Sequence, residues 1–311
     1  MPKNNQIRPD PSNSPLAKWF AKNQGTLTLE TAVSGAIQDL LTKTGQLNPP
    51  VALKAIATLR GIVRTIYSAK ITGFGRLEPT REGFVVLLEK NWHWIRRREW
   101  WAHEIAHTFF FNLESRPPQK LLTTVGKDEE LICDLLAREI LIPAAFLKSA
   151  DTTLGPPSIF ELRRLCKLFQ TTTSTMCRRL ICDLKIWNAI MLFCETRQHM
   201  FPASKQVRNP GQALRIVHTI GPKSPGNFVP LNKRVEQIAV INEAFTKRRF
   251  VAGLASFHQF GELIGEREIQ ALHMVSGPTG RPGVMVMITS YQPFQQRRVP
   301  EAKSDQLSLL F

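Results

Sequence analysis

The sequence predicts an α+β protein in which a larger N-terminal domain precedes a pair of helices and a smaller mixed α/β domain. Apolar residues recur at helical spacing in two long segments, 100–111 and 128–143, and a run of five apolar residues that is typical of a buried strand, 84–88, precedes them. Beyond residue 234 the apolar segments become short and strand-like. A length of 311 residues is sufficient for two or three domains.

Bulk composition argues against a membrane-spanning or disulfide-based protein. Apolar residues make up 43% of the chain, and no apolar run approaches the roughly 18 residues that span a bilayer. The N-terminal residues lack the apolar core of a signal peptide. Five cysteines without CxxC spacing indicate a reduced, cytoplasmic setting. Buried thiols are favoured over a second metal site for four of them, namely Cys166, Cys177, Cys182 and Cys194.

The net charge is unusual for a protein of ordinary apolar content. A formal charge of +16 and a pI of about 10.1 favour contact with a polyanion, because Lys and Arg release counterions from phosphates. A solvated basic surface explains the same charge equally well, so both interpretations stay open.

The N-terminal third of the chain predicts a tail, two helices and a β-rich segment. Residues 1–15 are polar and rich in Pro and Ser, which predicts a disordered tail before a domain at 16–150. Helical spacing predicts helices over 29–44 and 50–63. Residues 66–88 are predicted to be β-rich, with glycines marking the turns.

Two histidines four residues apart mark the first of the two long helices. His103 and His107 share one helix face, where both imidazoles can bind one metal ion. Glu104 leaves the helix beside that face and can take a proton from water activated by the metal. Apolar flanks indicate a buried helix, whose polar groups need partners. A pair of satisfied core histidines beside an exposed Glu104 is the alternative.

The second long helix supplies those partners. Pro143 ends it, and Glu130 and Asp134 lie four residues apart near its start. Glu130 is the candidate third metal ligand, and Asp134 the candidate acceptor for the other ring N–H of a ligand histidine. Asp128 and Glu129 are explained by the helix dipole, which favours acidic residues in a first turn.

Residues 98–110 (RxxxAHEIAHTFF) and 129–143 (EExxCDxxAxxILIP) resemble the ImmA/IrrE family of bacterial metallopeptidases. The pairing of HExxH with a later ExxxD also resembles the wider gluzincin class, and residues 48–57 are similar to the helix that opens the family's peptidase domain. The resemblance covers residues from about 29 to 185. Ala106 stands where the family more often has Gly, and Asp134 where many members have Asn.

The resemblance implies a zincin-like fold for residues 16–150 and a zinc-dependent endopeptidase, with Mn2+ as the alternative to Zn2+. His103, His107 and Glu130 then bind the metal, with Glu104 as the catalytic base. The implied substrate is regulatory: a DNA-bound helix-turn-helix repressor whose cleavage releases genes for stress response or mobile-element transfer. The rival function is a DNA-associated regulatory or scaffold protein with a structural or vestigial metal site. A purely structural site has no need of Glu104 as a base.

Residues 151–195 are predicted to hold a helical pair that resembles a helix-turn-helix, which the family commonly carries behind its peptidase domain. Ser158 caps a helix over 158–169, and Glu161 completes the capping box. A second helix is predicted over 175–185. Either Arg178 and Arg179 contact DNA phosphates, or the pair packs on the peptidase core. Packing is favoured, because one short basic helix is a weak signal.

The C-terminal part of the chain predicts a linker, a small domain and a tail. Residues 196–233, rich in Pro, Gly and basic residues, are predicted as a basic linker. A mixed α/β domain is predicted for 234–292, with a helix over 235–245 and strands over 250–260, 269–275 and 283–291. Some family members end in a GAF-like sensor domain, and this segment is a candidate for a divergent one. The histidines of this region are expected to be structural, namely His218, His258 and His273.

The tail, 293–311, is polar until its last six residues, which resemble the short peptide with which bacterial proteins bind the replication sliding clamp. A chance match and docking onto the chain's own fold are the alternatives. The candidate clamp-docking residues are Gln306, Leu307, Leu309, Leu310 and Phe311.

Overall fold

A computed structural model of the chain describes residues 12, 14–71, 75–121, 126–147, 154–197, 212–222, 231–256, 266–275 and 280–289. The chain divides into two compact units, residues 1–154 with 164–176, and residues 155–163 with 177–311. The predicted tail at 293–311, with its clamp-docking residues, lies outside the described residues, as does nearly all of the tail at 1–15.

Three helices open the first unit. Helix α1 (Pro15–Asn23), absent from the sequence-based expectations, begins at Ser14, whose side chain accepts from the Ala17 N–H, with proline in the first turn. Helix α2 (Leu29–Lys43) confirms the helix predicted at 29–44, and Thr28 caps it. Helix α3 (Leu53–Leu59) is shorter than predicted, ending before Gly61, whose backbone has a positive φ of 76°.

A three-stranded sheet follows, as the β-rich segment predicted. Strands β1 (Ile62–Ser68), β2 (Gly75–Thr80) and β3 (Gly83–Glu89) have the order β1-β3-β2. β3 runs parallel to β1 and antiparallel to β2, and most of its residues are buried. β2 is therefore an edge strand of this sheet among the described residues.

The two long helices of the first unit pack against each other. Helix α4 (Trp94–His107) contacts β2 and β3 on one side and α5 (Lys127–Leu141) on another. A 3-10 turn (Thr108–Phe110) and the short strands β4 (Phe111–Asn112) and β5 (Gln119–Lys120) connect them. Helix α6 (Ala144–Leu147) follows Pro143, which ends α5 as predicted. Both predicted motif helices are thus confirmed as neighbours.

The predicted helical pair takes a different form. Helix α7 (Ile159–Phe169) confirms the first member, and the Ser158 side chain accepts from the Glu161 N–H. Helix α8 (Thr173–Cys177) is short and continues as a π-helix (Arg178–Asp183), so the predicted second helix is present as far as Asp183, with π-helical geometry in its second half. The division between units falls within α7 and again at the end of α8, so the pair does not form a unit of its own.

The second unit is built on a five-stranded antiparallel sheet of order β7-β6-β10-β9-β8. Helix α9 (Ala239–Thr246) packs over one face, and Ile241, Val286 and Ile269 lie in the core between them. This architecture confirms the mixed α/β prediction; a GAF-like identity stays a prediction. The strands are β6 (Ala189–Arg197), β7 (Ala213–Ile220), β8 (Phe250–Ser256), β9 (Glu266–Met274) and β10 (Gly283–Thr289).

The linker prediction for residues 196–233 was wrong, because this segment contains β7. Basic residues suggested a solvated segment, yet Arg215 lies buried in β7 and donates from Nη1 to the carbonyl of Asn232 at 3.1 Å. The region predicted to be helical, 151–195, ends in strand β6 instead of a helix. Seven consecutive residues of β6 are buried, so the alternation that reveals a half-buried strand is missing. No described helix is long and apolar enough to cross a bilayer.

Candidate metal centre

Helix α4 presents the two motif histidines on one face. Both rings lie one turn apart, with centroids separated by 5.0 Å and planes inclined at 78°. His103 is buried and His107 is half-buried. The end of the helix is held by Arg60, which donates to the side chain and carbonyl of Thr108 at 3.0 and 2.8 Å. Local helical periodicity therefore sets the histidine pair, and a fixed helix end maintains it.

The first turn of α5 brings a carboxylate to the same point. Oε2 of Glu130 lies 3.1 Å from Nε2 of His103, and its Oε1 lies 3.6 Å from Nε2 of His107. One carboxylate thus faces the corresponding nitrogen of both rings. The three residues that the sequence predicts as ligands come together, with donor atoms all within 4.8 Å of one another.

The opposite ring nitrogens face two further carboxylates. Nδ1 of His103 lies 3.2 Å from Oδ1 of Asp134, which is the position predicted for that residue. Nδ1 of His107 lies 3.0 Å from Oε1 of Glu129 and 3.4 Å from Sγ of Cys133. Each histidine therefore directs Nε2 toward Glu130 and Nδ1 toward a separate carboxylate of α5.

Glu129 is the site residue that the sequence analysis assigned to the helix dipole alone. Its side chain is only 2% exposed, and its Oε2 accepts from the Nζ of Lys120 at 2.9 Å. Lys120 lies in β5, in the segment that joins the two motif helices. An accounting of ring nitrogens could have found Glu129, because two ligand histidines require two outer partners and Asp134 supplies only one.

The charges of the cluster shift the pKa values of its members. Burial alone lowers the pKa of His103, but hydrogen bonds to Asp134 and Glu130 outweigh it and raise the pKa to about 9. Hydrogen bonding to His103 lowers the pKa of Glu130. Burial raises the pKa of Glu129, yet His107 and Lys120 reverse the effect and hold it below its ordinary value. The carboxylates of Asp134 and Glu130 therefore favour the protonated form of the His103 ring.

Glu104 lies on the sheet side of the cluster. It is 4% exposed and accepts a hydrogen bond from the backbone N–H of Leu77 in edge strand β2. Burial raises the pKa of its carboxyl, against the opposing charges of His107 and His103. Gly75 begins β2 so close by that an added Cβ would lie 2.9 Å from Oε1 of Glu104. The motif glutamate is therefore buried rather than solvent-exposed, unlike the alternative drawn from the sequence.

The donor set could hold a metal ion. Two imidazoles and one carboxylate form a ligand set used by zinc peptidases, and such a set leaves a position for water. The carboxylates at both Nδ1 atoms match the outer partners that orient metal-binding histidines. Among the described residues, the only group of this kind is His103, His107 and Glu130.

The remaining predicted contacts do not join this centre. Arg179 is 4% exposed and lies 3.9 Å from Asp183, so its guanidinium is turned into the protein rather than toward a nucleic-acid phosphate. Arg178 is half-buried, with Nη2 at 3.4 Å from Nε2 of His218. Three of the four cysteines considered for a second metal site are buried, and Cys182 is half-buried.

Comparisons with known proteins add a distant likeness to a solved structure. No family model matches the sequence, and no curated protein matches it. Among solved structures, a Mycobacterium tuberculosis transcriptional regulator is similar, with 13% identity and a TM-score of 0.47. The match covers 90% of this chain and 80% of the regulator. At that distance the regulator's role is not transferred to this chain.

Proposed function

We propose that this chain is a zinc-dependent endopeptidase. The observation that supports it is the convergence of His103, His107 and Glu130, with Glu104 buried beside them against an edge strand. A purely structural metal site needs ligands and the carboxylates that orient them, but it has no need of a base. Burying Glu104 is costly unless the residue has a role, because a carboxylate is far better solvated by water.

The proposed chemistry assigns each residue one task. His103, His107 and Glu130 would hold the ion, which would supply a Lewis acid and make water acidic enough to lose a proton near neutral pH. Glu104 accepts the proton of the attacking water and returns it to the leaving amine. Its raised pKa suits this exchange, because a base whose pKa lies nearer the working pH both takes and releases protons readily.

Strand β2 is the proposed binding site of the peptide substrate. It is an edge strand among the described residues, and Leu77 and Gly75 place its backbone directly beside Glu104. An extended peptide can add to such an edge through main-chain hydrogen bonds, which depend little on the peptide's sequence. The scissile bond would then lie next to the base and the ion.

The proposed substrate class is a regulatory protein, namely a DNA-bound helix-turn-helix repressor in a stress or mobile-element response. This class rests on the resemblance of residues 98–110 and 129–143 to the ImmA/IrrE family. A reduced cytoplasm, suggested by five free cysteines, belongs to the same proposal.

The deciding experiment compares wild-type protein with Glu104→Gln, which keeps size and hydrogen bonding but cannot accept a proton. New protein N-termini are mapped in cells that express each form, and zinc is measured in both purified proteins. We expect equal zinc content and cleavage lowered by at least about 10²-fold in the variant. Cleavage near the wild-type rate would assign the base elsewhere, and an absence of new N-termini with zinc-loaded wild type would contradict the peptidase.

A second candidate is a DNA-associated regulator that does not cut peptides, and the charge of +16 favours it. Duplex DNA binding would then weaken steeply as salt increases, because neutralised phosphates release counterions. The matched test is Arg178→Ala beside Arg179→Ala. If Arg178 meets phosphate, its loss lowers affinity with unchanged folding, whereas loss of the buried Arg179 lowers stability.

The sliding clamp is the proposed partner of the C-terminus. The segment after the polar Gln306 carries four large apolar side chains, and burial of each recovers roughly 1.5–3 kcal/mol. They are Leu307, Leu309, Leu310 and Phe311. We expect a peptide of residues 306–311 to bind purified bacterial clamp at about micromolar Kd, near −8 kcal/mol. Truncation after Asp305 should abolish clamp binding and leave peptidase activity intact. A titration without saturable signal would exclude this partner.

A further inference from the structure

A cavity of about 570 Å³ lies within the second unit, far along the chain from the metal ligands. It is formed where the C-terminal end of α9 meets the ends of β6 and β9 and the start of β10. Its volume falls within the range of roughly 300–1,000 Å³ typical of small-molecule sites. The lining includes Thr196, Phe245, Thr246, Arg248, His273 and Arg281.

The lining is cationic. Arg248 and Arg281 both border the cavity, His273 of β9 also lines it, and none of the described lining residues is acidic. Arg248 belongs to a run of three basic residues after α9. Its neighbours Lys247 and Arg249 both donate to Oε1 of Glu243, at 2.9 and 2.7 Å. Lys247 and Arg249 therefore pair with a carboxylate, whereas Arg248 between them lines the cavity.

Like charges also lie close together around this cavity. Burial and the positive charge of Arg248 both lower the pKa of His273. Burial lowers the pKa of Arg197, which is next to Thr196 in the chain. The positive charges of Arg281 and Arg215 lower this pKa further, and Glu195 opposes them. Cations gathered at a concave surface create a positive potential that concentrates small anions. An anion bound between Arg248 and Arg281 would relieve this repulsion.

The cavity also has an apolar side. The ring of Phe245 is half-buried and its centroid lies 6.1 Å from that of His273. Pro282 completes this side, while the hydroxyls of Thr196 and Thr246 provide hydrogen-bonding groups. Convergent polar groups beside an aromatic surface suit an organic molecule that carries a charged group, more than a bare ion.

We propose that this cavity binds a small organic phosphate, with Arg248 and Arg281 contacting the phosphate and Phe245 contacting the organic part. Arginine suits this task, since its planar guanidinium can donate two parallel hydrogen bonds to phosphate oxygens. The proposal concerns the second unit alone and is independent of the peptidase.

The test is calorimetric titration of the full chain with two probes, inorganic phosphate and adenosine monophosphate, at fixed ionic strength. We expect saturable binding, tighter for the nucleotide. Arg248→Gln and Arg281→Gln should each lower affinity by about tenfold, as expected for loss of a charge-assisted hydrogen bond. Both residues are exposed, so the variants should fold, and thermal unfolding of each provides the check.

Arg249→Gln is the matched control, because it removes the same charge from the adjacent position but from a residue that pairs with Glu243. Its affinity should equal that of wild type. A loss in this control as large as in Arg248→Gln would mean general charge attraction and overturn the site. Equal affinity for the two probes would overturn the organic part of the proposal, and the absence of saturable binding at millimolar probe would overturn it entirely.

Discussion

Nε2 of His103 lies 3.1 Å from Oε2 of Glu130, although 27 positions separate the two residues in the chain. The contact joins the last turns of α4 to the first turn of α5. Because Oε1 of the same carboxylate faces His107, Glu130 is placed to complete a three-ligand set with both rings.

Glu130→Ala should lose most of the zinc, because removing one of three ligands leaves only the two histidines. His103→Ala should behave in the same way. The control is Asp128→Ala, which removes the same charge from the same turn without removing a ligand. Zinc is measured by elemental analysis after dialysis, with about one ion per chain expected in wild type and control. Full zinc content in Glu130→Ala would remove that residue from the ligand set.

Glu129→Gln should weaken zinc binding by about 10–100-fold, although Glu129 is not a ligand. The buried carboxylate faces Nδ1 of His107 and orients the ring, and an amide would hold the ring less strongly. Competition with a chelator of known affinity gives the magnitude. Asp128→Asn neutralises a charge in the same turn and should leave the zinc affinity unchanged. An equal loss of affinity in this control would mean that Glu129 acts through its charge alone and not by orienting His107.

Zinc affinity should rise with pH up to about 9. His103 has a raised pKa of about 9 in the metal-free protein, so at lower pH the ring holds a proton that the metal must displace. The sign is therefore loss of affinity as pH falls, by about tenfold per pH unit for one proton. Calorimetry in buffers of different ionisation enthalpy counts the protons released. A release of zero at pH 7 would contradict the raised pKa.

Gly75→Ala should lower peptide cleavage while zinc content stays constant. The new Cβ would lie 2.9 Å from Oε1 of Glu104 and 3.1 Å from Cδ2 of Leu88, so the glutamate must shift. Displacing a catalytic group by about 1 Å can cost about 10² in rate. Gly35→Ala in α2 is the control, because an added Cβ there meets nothing within 4 Å. Unchanged cleavage in Gly75→Ala would show that Glu104 tolerates the displacement.

The centre was predictable from the sequence where geometry is local. Four-residue spacing puts His103 above His107 on any helix, and Glu130 and Asp134 likewise share a face of α5. The sequence could not show whether Glu129 lies in the first turn because of the helix dipole or because it contacts a histidine. An acidic first turn satisfies the helix dipole whether or not Glu129 contacts a histidine, and only the packing of α4 on α5 distinguishes them.

The C-terminal unit shows a different limit. Buried positions of β6 run without alternation, which looks the same in a buried helix, and the buried Arg215 of β7 looks like a surface residue until its partners are known. Long-range strand pairing decides both cases, and it places β6 between β7 and β10. The five-stranded sheet therefore exceeds what the predicted strands at 250–291 contained.

Helix α5 begins at Gly126 without a side-chain cap, and its first two turns contain all three carboxylates that face the histidines. An uncapped start frays more readily than the rest of a helix. Zinc binding would then order the helical turn that supplies the ligand Glu130, so that zinc binding and folding of this turn would occur together. Amide exchange at residues 127–130 should therefore slow sharply on zinc addition, and a chelator should reverse this slowing without unfolding the protein.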